Sequence, residues 1–334
     1  MFFYSFMWIY IFPIYLMTPM ISISFNSWFS IWISIEMNLM SFIPLIIFIN
    51  KFYKELVMKY FIIQSISSMM LILSSNLIML IINQMFLNFL LTLINLSLLI
   101  KLGVPPFHYW FISMMNNMSW LNCFFLSTWQ KITPMILLMY NFFNMFMFYF
   151  IIISSLTSFF GINHQSLRLI LAYSSINHMS WMILNLMISE NLWLLYFISY
   201  LFINMSIMMI FNKFKLFYIN QINNLKFLNF KLILILNFFS ISSLPPFFGF
   251  MMKWFSINTN LFNNLNFIIL LLMLISLLTF SFYMKISINM MLNFKLINKI
   301  NMMYKIFILN KINYMKFFIM ISFLNLWILN IWLI

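Results

Sequence analysis

The sequence predicts an all-α membrane protein of about eleven transmembrane helices, built as inverted five-helix repeats with two discontinuous helices. Three observations carry this expectation. The chain has 334 residues, of which 65% are hydrophobic and only 6% charged, whereas a soluble domain is about one-quarter charged. Its apolar runs recur at bilayer-spanning length, about 20 residues each. Two of those runs carry a Pro-Pro pair close to a lysine, at Lys101 and at Lys253, and an ionisable group inside a span marks function before packing.

Taken in order, the first run, 2–20, opens Met-Phe-Phe-Tyr-Ser, with neither a basic n-region nor an Arg/Ser-rich presequence, and reads as a retained span. The second, 25–49, holds Glu36 about ten residues in, ~15 Å deep at helical rise. Glu36 is the one carboxylate at membrane depth, since Glu55 and Glu190 fall in loops. The third covers 56–82. The fourth, 86–114, places Lys101 about fifteen residues in, ~22 Å deep, and Gly103, Pro105, Pro106 and His108 follow it directly. The fifth, 120–142, holds Lys131 about eleven residues in, ~16 Å deep. The sixth, 145–160, is short. The seventh, 167–187, carries His178 at a depth similar to that of Lys131, and the eighth is 191–212. The ninth, 229–257, is interrupted by Pro245, Pro246 and Gly249, with Lys253 about two helical turns beyond Pro246. The tenth is 263–285. A Lys- and Asn-rich stretch, 286–311, reads as an amphipathic connector, and 312–334 as an added eleventh span.

Connections between runs are short, so 1–334 reads as a single membrane domain, with 1–144 the first repeat and 145–285 the second. The two Pro-Pro-Phe motifs lie five spans apart, an odd number, so their helices cross in opposite directions, as in an inverted-topology repeat. Apart from Lys101, Lys131 and Lys253, every lysine and the single arginine, Arg168, fall on the side that also holds the N-terminus. The positive-inside rule then puts the N-terminus inside and, with eleven spans, the C-terminus outside. It also accounts for the net charge of +14 as orientation of helices, and no basic groove interleaved with aromatics points to nucleic acid. Phe and Met are abundant and glycines number only 3, a bias that suits an AT-rich organelle genome. Cys123 is the one cysteine, which excludes an internal disulfide or a Cys-based metal centre in this chain.

The chemistry rests on Glu36, Lys101, Lys131 and Lys253. Burial disfavours the charged form of a lysine and a neighbouring carboxylate restores it, so such a set can accept and release protons. Proline opens the helix, and irregular backbone at this depth survives only where it is buried or lines a wet cavity. The carbonyl end of the first half-helix suits a cation at Lys101. Four such groups at intermediate depth form a line for protons; the bland alternative is a set of snorkelling or structurally paired side chains. His108 and His178 fit a proton relay or a hydrogen-bonded structural histidine equally well. His164 reads as solvated, Arg168 as an inside-face anchor, and the Met and Phe content as packing.

Five stretches carry a family resemblance: Ser34-Ile-Glu36-Met-Asn-Leu-Met-Ser-Phe-Ile-Pro44, Lys101-Leu-Gly-Val-Pro-Pro-Phe-His-Tyr-Trp110, Trp129-Gln-Lys131-Ile-Thr-Pro134, Leu171-Ala-Tyr-Ser-Ser-Ile-Asn-His178 and Leu244-Pro-Pro-Phe-Phe-Gly-Phe-Met-Met-Lys-Trp254. In their order and spacing the chain resembles the subunit 2 family of NADH dehydrogenase, antiporter-like membrane subunits of mitochondrial respiratory complex I. The resemblance implies an Mrp antiporter-like fold in the mitochondrial inner membrane, with the N-terminus in the matrix and the C-terminus in the intermembrane space. It implies that Glu36, Lys101, Lys131 and Lys253 are the proton-channel carboxylate and lysines. It also implies that neighbouring membrane subunits, antiporter-like ones among them, and lipids are the partners. FMN, iron–sulfur clusters and ubiquinone would belong to other subunits, leaving no cofactor in this chain. The sequence departs from the family pattern at Leu169, where a lysine is usual, and at Ser180, Ser242 and Ser243, where glycines are expected. Two alternatives stand beside this reading: a free-standing monovalent cation/proton antiporter, and a non-pumping scaffold of the complex.

Overall fold

The computed structural model describes residues 2–49, 54–80, 84–141, 146–223, 225, 228–262 and 266–292, and every regular element among them is helical. In chain order these are α1 (Phe2–Ser24), α2 (Trp28–Ile49), α3 (Lys54–Ile78), α4 (Gln84–Leu102), α5 (Tyr109–Asn117), α6 (Trp120–Ser127), α7 (Trp129–Tyr140) and α8 (Phe146–Thr157). A 3-10 turn, Ser158–Asn163, leads to α9 (Leu167–Leu186), α10 (Glu190–Phe214), α11 (Ile219–Asn223), α12 (Leu228–Ile241), α13 (Phe248–Phe262) and α14 (Asn266–Leu292). The expected eleventh span and most of the expected connector lie outside the described residues. α14 itself runs on to Leu292, into the start of that connector.

Among the described residues, five helices are long and apolar enough to cross a membrane: Trp28–Ile47, Lys54–Ile78, Gln84–Leu102, Glu190–Phe214 and Asn266–Met291. Several other spans are shorter because they are interrupted. The fourth predicted span divides into α4 and α5, and the ninth into α12 and α13, each around its Pro-Pro pair. A third interruption, which the sequence reading does not contain, divides the fifth span at Thr128. Its hydroxyl donates to the Phe124 carbonyl, and its backbone sits at φ −124°, ψ −69°, outside helical values. Within two helical turns Pro134 adds its own defect, since it cannot donate to the Gln130 carbonyl.

The chain divides into two compact units, Met1–Phe150 and Ile151–Ile334. In the first, α1 packs on α2 and α7, α2 on α3, α3 on α4 and α5, and α4 on α7. A ladder of rings, Tyr15–Phe42–Tyr60–Trp110, with centroids 5.5, 5.5 and 5.8 Å apart, ties α1, α2, α3 and α5 together. Such pairs stabilise by about 0.5–1.5 kcal/mol each beyond their burial. In the second unit, α9 packs on α10 and the 3-10 turn, α10 on α12 and α13, and α14 on α12, α13 and α9. In both units the outward side chains are Met37, Met58, Ile66, Leu73, Leu270 and Leu277, whereas Asn38, Gln64, Lys101, Lys131, Asn177 and Lys253 are buried. Apolar outside and polar inside is the arrangement of a protein whose solvent is lipid. The many buried serines fit because their hydroxyls donate to carbonyls of the preceding turn of their own helix, as Ser67 does to Gln64 and Ser175 to Ala172.

Candidate functional site

α4 ends in a Schellman cap. The Gly103 amide donates to the Ile100 carbonyl and the Val104 amide to that of Leu99, with Gly103 left-handed at φ +69°. The prolines after it cannot rejoin the helix. Two side chains complete the cap. Trp110 Nε1 donates to the Ile100 carbonyl at 3.1 Å, and Gln64 Nε2 to that of Lys101 at 3.5 Å. Lys101 occupies the last turn of this half-helix and is 6% exposed. Its Nζ is buried without a hydrogen-bond partner among the described residues.

The second break repeats the first in the main chain. The Ser243 amide donates to the Ser240 carbonyl and the Leu244 amide to that of Phe239, with Ser243 at φ +59°. Phe247 then donates to Leu244 as Phe107 does to Val104. Both Pro-Pro bonds, Pro105–Pro106 and Pro245–Pro246, are cis. The side chains do not repeat. Ile241 stands where Lys101 stands, and Phe250 where Trp110 stands. Gly249 is instead required by contact, because a Cβ there would fall 1.8 Å from the Ser240 carbonyl oxygen.

The first unit gathers its polar groups around a cavity of about 20 Å³, lined by Asn38, Tyr60, Gln64, Lys101, Gln130 and Lys131 among apolar side chains. That volume admits about one water molecule. Lys131 lies in the first turn of α7, buried, with Nζ 5.0 Å from the Phe111 ring centroid. Glu36 is half-buried on α2 and acts electrostatically on Lys101 and on Tyr60. Asn38 and Gln130 exchange both amide hydrogen bonds, Asn38 Nδ2 to Gln130 Oε1 at 3.1 Å and Gln130 Nε2 to Asn38 Oδ1 at 3.3 Å. Tyr60 donates its hydroxyl to the same Gln130 oxygen at 3.5 Å. Thus Lys101 and Lys131 are brought to one cavity, with Glu36 in electrostatic reach of Lys101.

Lys253 is in the second unit, on α13, 4% exposed, with Nζ 5.7 Å from the Trp181 ring centroid. His178 is also there, its Nδ1 2.8 Å from the Tyr196 hydroxyl and its ring against Tyr200. With Ser199, Ser240 and Gly249 these three line a second cavity of about 20 Å³. His108 lies at the first break, stacked on Tyr109, with Nδ1 3.2 Å from the Pro106 carbonyl, and is not among the residues lining the first cavity. Of the glycine departures, Ser180 is fully buried and donates to the Asn177 carbonyl, and Ser242 donates to that of Phe239. The residues that sequence reasoning missed are Asn38, Tyr60, Gln64, Trp110 and Gln130. The signal for the amides was present, since a polar side chain in the middle of an apolar run carries a cost that needs a reason. Among the described residues, no group of three or more His, Cys, Asp or Glu side chains could hold a metal ion.

Broken helices with left-handed caps, lysines buried beside the breaks, and water-sized cavities with polar lining groups define an antiporter-like membrane fold. The family model described as NADH:quinone oxidoreductase/Mrp antiporter, TM, matches residues 25–279. The chain is 41% identical to NADH-ubiquinone oxidoreductase chain 2 of Anopheles gambiae, over 83% of this chain and 84% of that one. It is 37% identical to the protein of the same name from Locusta migratoria, over 81% and 82%. The chain belongs to the NADH-ubiquinone oxidoreductase chain 2 family. Solved structures share the fold: a chain of respiratory complex I from Thermus thermophilus superposes with TM-score 0.76 at 16% identity, covering 82% of this chain and 68% of that one. A chain of the Mrp complex from Dietzia sp. superposes with TM-score 0.66 at 15% identity, over 78% and 56%.

Proposed function

We propose that this chain is a proton-translocating membrane subunit of an NADH:ubiquinone oxidoreductase, with Glu36, Lys101, Lys131 and Lys253 carrying the proton. The observation that supports the reading best is the pair Lys101 and Lys131 on one water-sized cavity, against the carbonyl end of a broken helix and within reach of Glu36. The carboxylate gives the proton at Lys101 a counter-charge, and the cavity gives it a wet route in a medium otherwise closed to ions. Lys253 does the corresponding work in the second unit, and His178 with Tyr196 offers a hydroxyl–imidazole pair able to pass a proton on. His108, bonded to the Pro106 carbonyl, is left the lesser candidate. The chain holds no redox centre in this reading. FMN, iron–sulfur clusters and ubiquinone sit in other subunits, and their chemistry drives the proton step. The partners are neighbouring membrane subunits, antiporter-like ones included, and lipids. The location is the mitochondrial inner membrane, with the N-terminus in the matrix and the C-terminus in the intermembrane space. In this reading 1–144 and 145–285 are two inverted five-helix repeats, each with one lysine-bearing break.

The test is protons moved per NADH oxidised by the complex in liposomes, with and without Lys131→Met. An assembled complex whose ratio or coupled turnover falls supports the reading. Unchanged assembly and pumping would move the subunit to a scaffolding role, and sodium-dependent proton flux by the isolated chain would make it an antiporter.

A further inference from the structure

We infer that Gln130 is a positioning residue for proton passage between Lys101 and Lys131, held in place by Asn38 and Tyr60. The inference rests on the proton-translocating reading above. Gln130 is the residue before Lys131, in the first turn of α7, directly after the interruption at Thr128. A helix start at that depth is free to slide or rotate unless something fixes it. Two side-chain contacts do so. Trp129 Nε1 donates to the Tyr15 carbonyl of α1 at 3.2 Å, an acceptor that Pro19 leaves without its helical donor. Gln130 reaches α2 through the two-way amide pair with Asn38, at 3.1 and 3.3 Å.

The amide pair is more than a staple, because of where it lies. Asn38, Tyr60 and Gln130 line the same cavity as Lys101, Gln64 and Lys131. The Gln130 oxygen already accepts from Asn38 and from Tyr60, and its amino group donates to Asn38. A carboxamide so engaged cannot rotate, and it neither takes up nor releases a proton at neutral pH. It therefore presents a fixed, neutral polar wall. A molecule of water beside that wall is oriented without being charged, which suits a carrier between two cations and denies them a rival proton-binding group. A carboxylate at the same place would hold the proton, and an aliphatic side chain would leave the cavity without its acceptor and release Asn38. No packing need requires a two-way amide pair at this spot; an apolar contact would join α2 to α7 with no buried polar atoms to satisfy.

The experiment uses the whole complex in liposomes, reading protons per electron alongside assembly and uncoupled NADH:quinone turnover. Gln130→Met keeps length and volume and removes the amide. The expected result is an assembled complex whose proton-to-electron ratio or coupled turnover falls by about half or more, with uncoupled turnover kept. The exchange of partners, Asn38→Gln with Gln130→Asn, restores a pair of the same total length and recovers most of the loss. If Gln130→Met fails to assemble, Gln130→Glu decides, since it keeps the shape while adding a proton-binding group; slower coupled turnover in an assembled complex supports the inference. Unchanged pumping in either assembled variant overturns it, as does failure of both to assemble, which would make the pair a structural lock. Lys131→Met in the same preparation separates the two questions: if it too leaves pumping unchanged, the proton-translocating reading falls, and if it alone lowers pumping, only the role of Gln130 falls.

Discussion

Ser243 shows how one residue can keep a geometry at a cost. It occupies the left-handed cap position that Gly103 fills in the first break, at φ +59° against +69°. A side chain there costs about 1–2 kcal/mol, so Ser243→Gly should raise the thermal midpoint of the assembled complex by a few degrees, measured by the melting of its NADH:quinone activity. Gly249 gives the opposite case. A methyl group at that position would overlap the Ser240 carbonyl oxygen, which is main chain and cannot turn away. Gly249→Ala should therefore cost about 1–3 kcal/mol or more and lower the amount of assembled complex on native gels. The sequence named Gly249 as part of a break but gave no reason for it, because the reason is a through-space contact between α12 and α13. The four ionisable residues were legible individually, since each stands out against an apolar run. The cavity shared by Lys101 and Lys131 was not, because it depends on Asn38, Tyr60, Gln64 and Gln130, polar groups whose value lies in how they pair.

At the scale of the helix, the breaks were legible and their caps were not. Pro105, Pro106, Pro245 and Pro246 announce an interruption, but the helix has already ended by Schellman bonds before the first proline arrives. Trp110 then closes the Ile100 carbonyl. Trp110→Phe keeps the ring ladder to Tyr60 and removes only this donor, at about 0.5–1.5 kcal/mol, while the Gly103 amide still holds the Ile100 carbonyl. The expected outcome is faster amide hydrogen exchange over residues 99–104 in the assembled complex, with the fold retained. The break at Thr128 escaped notice for a physical reason. It shows neither glycine nor a positive φ, and the Thr128 hydroxyl bond to the Phe124 carbonyl that accompanies it is one threonine makes in many intact helices.

For the whole molecule, run length and hydropathy delivered an all-helical membrane protein, and the sidedness of the lysines gives an orientation that can be checked directly. An epitope fused at Met1 should stay protected from protease in mitoplasts, where the outer face of the inner membrane is bare, and be cut in inverted vesicles. Cutting in mitoplasts would reverse the assignment. The two compact units share one further property, with a consequence for descent. Each break is written in main-chain hydrogen bonds, so the same bend forms with different side chains around it. Glycine holds one cap and serine the other, and the lysine sits before one bend and after the other. Within this chain the bend is therefore what the two breaks hold in common, and the side chains are what differ. A search for distant kin is better served by the rhythm of the bend than by any residue in it.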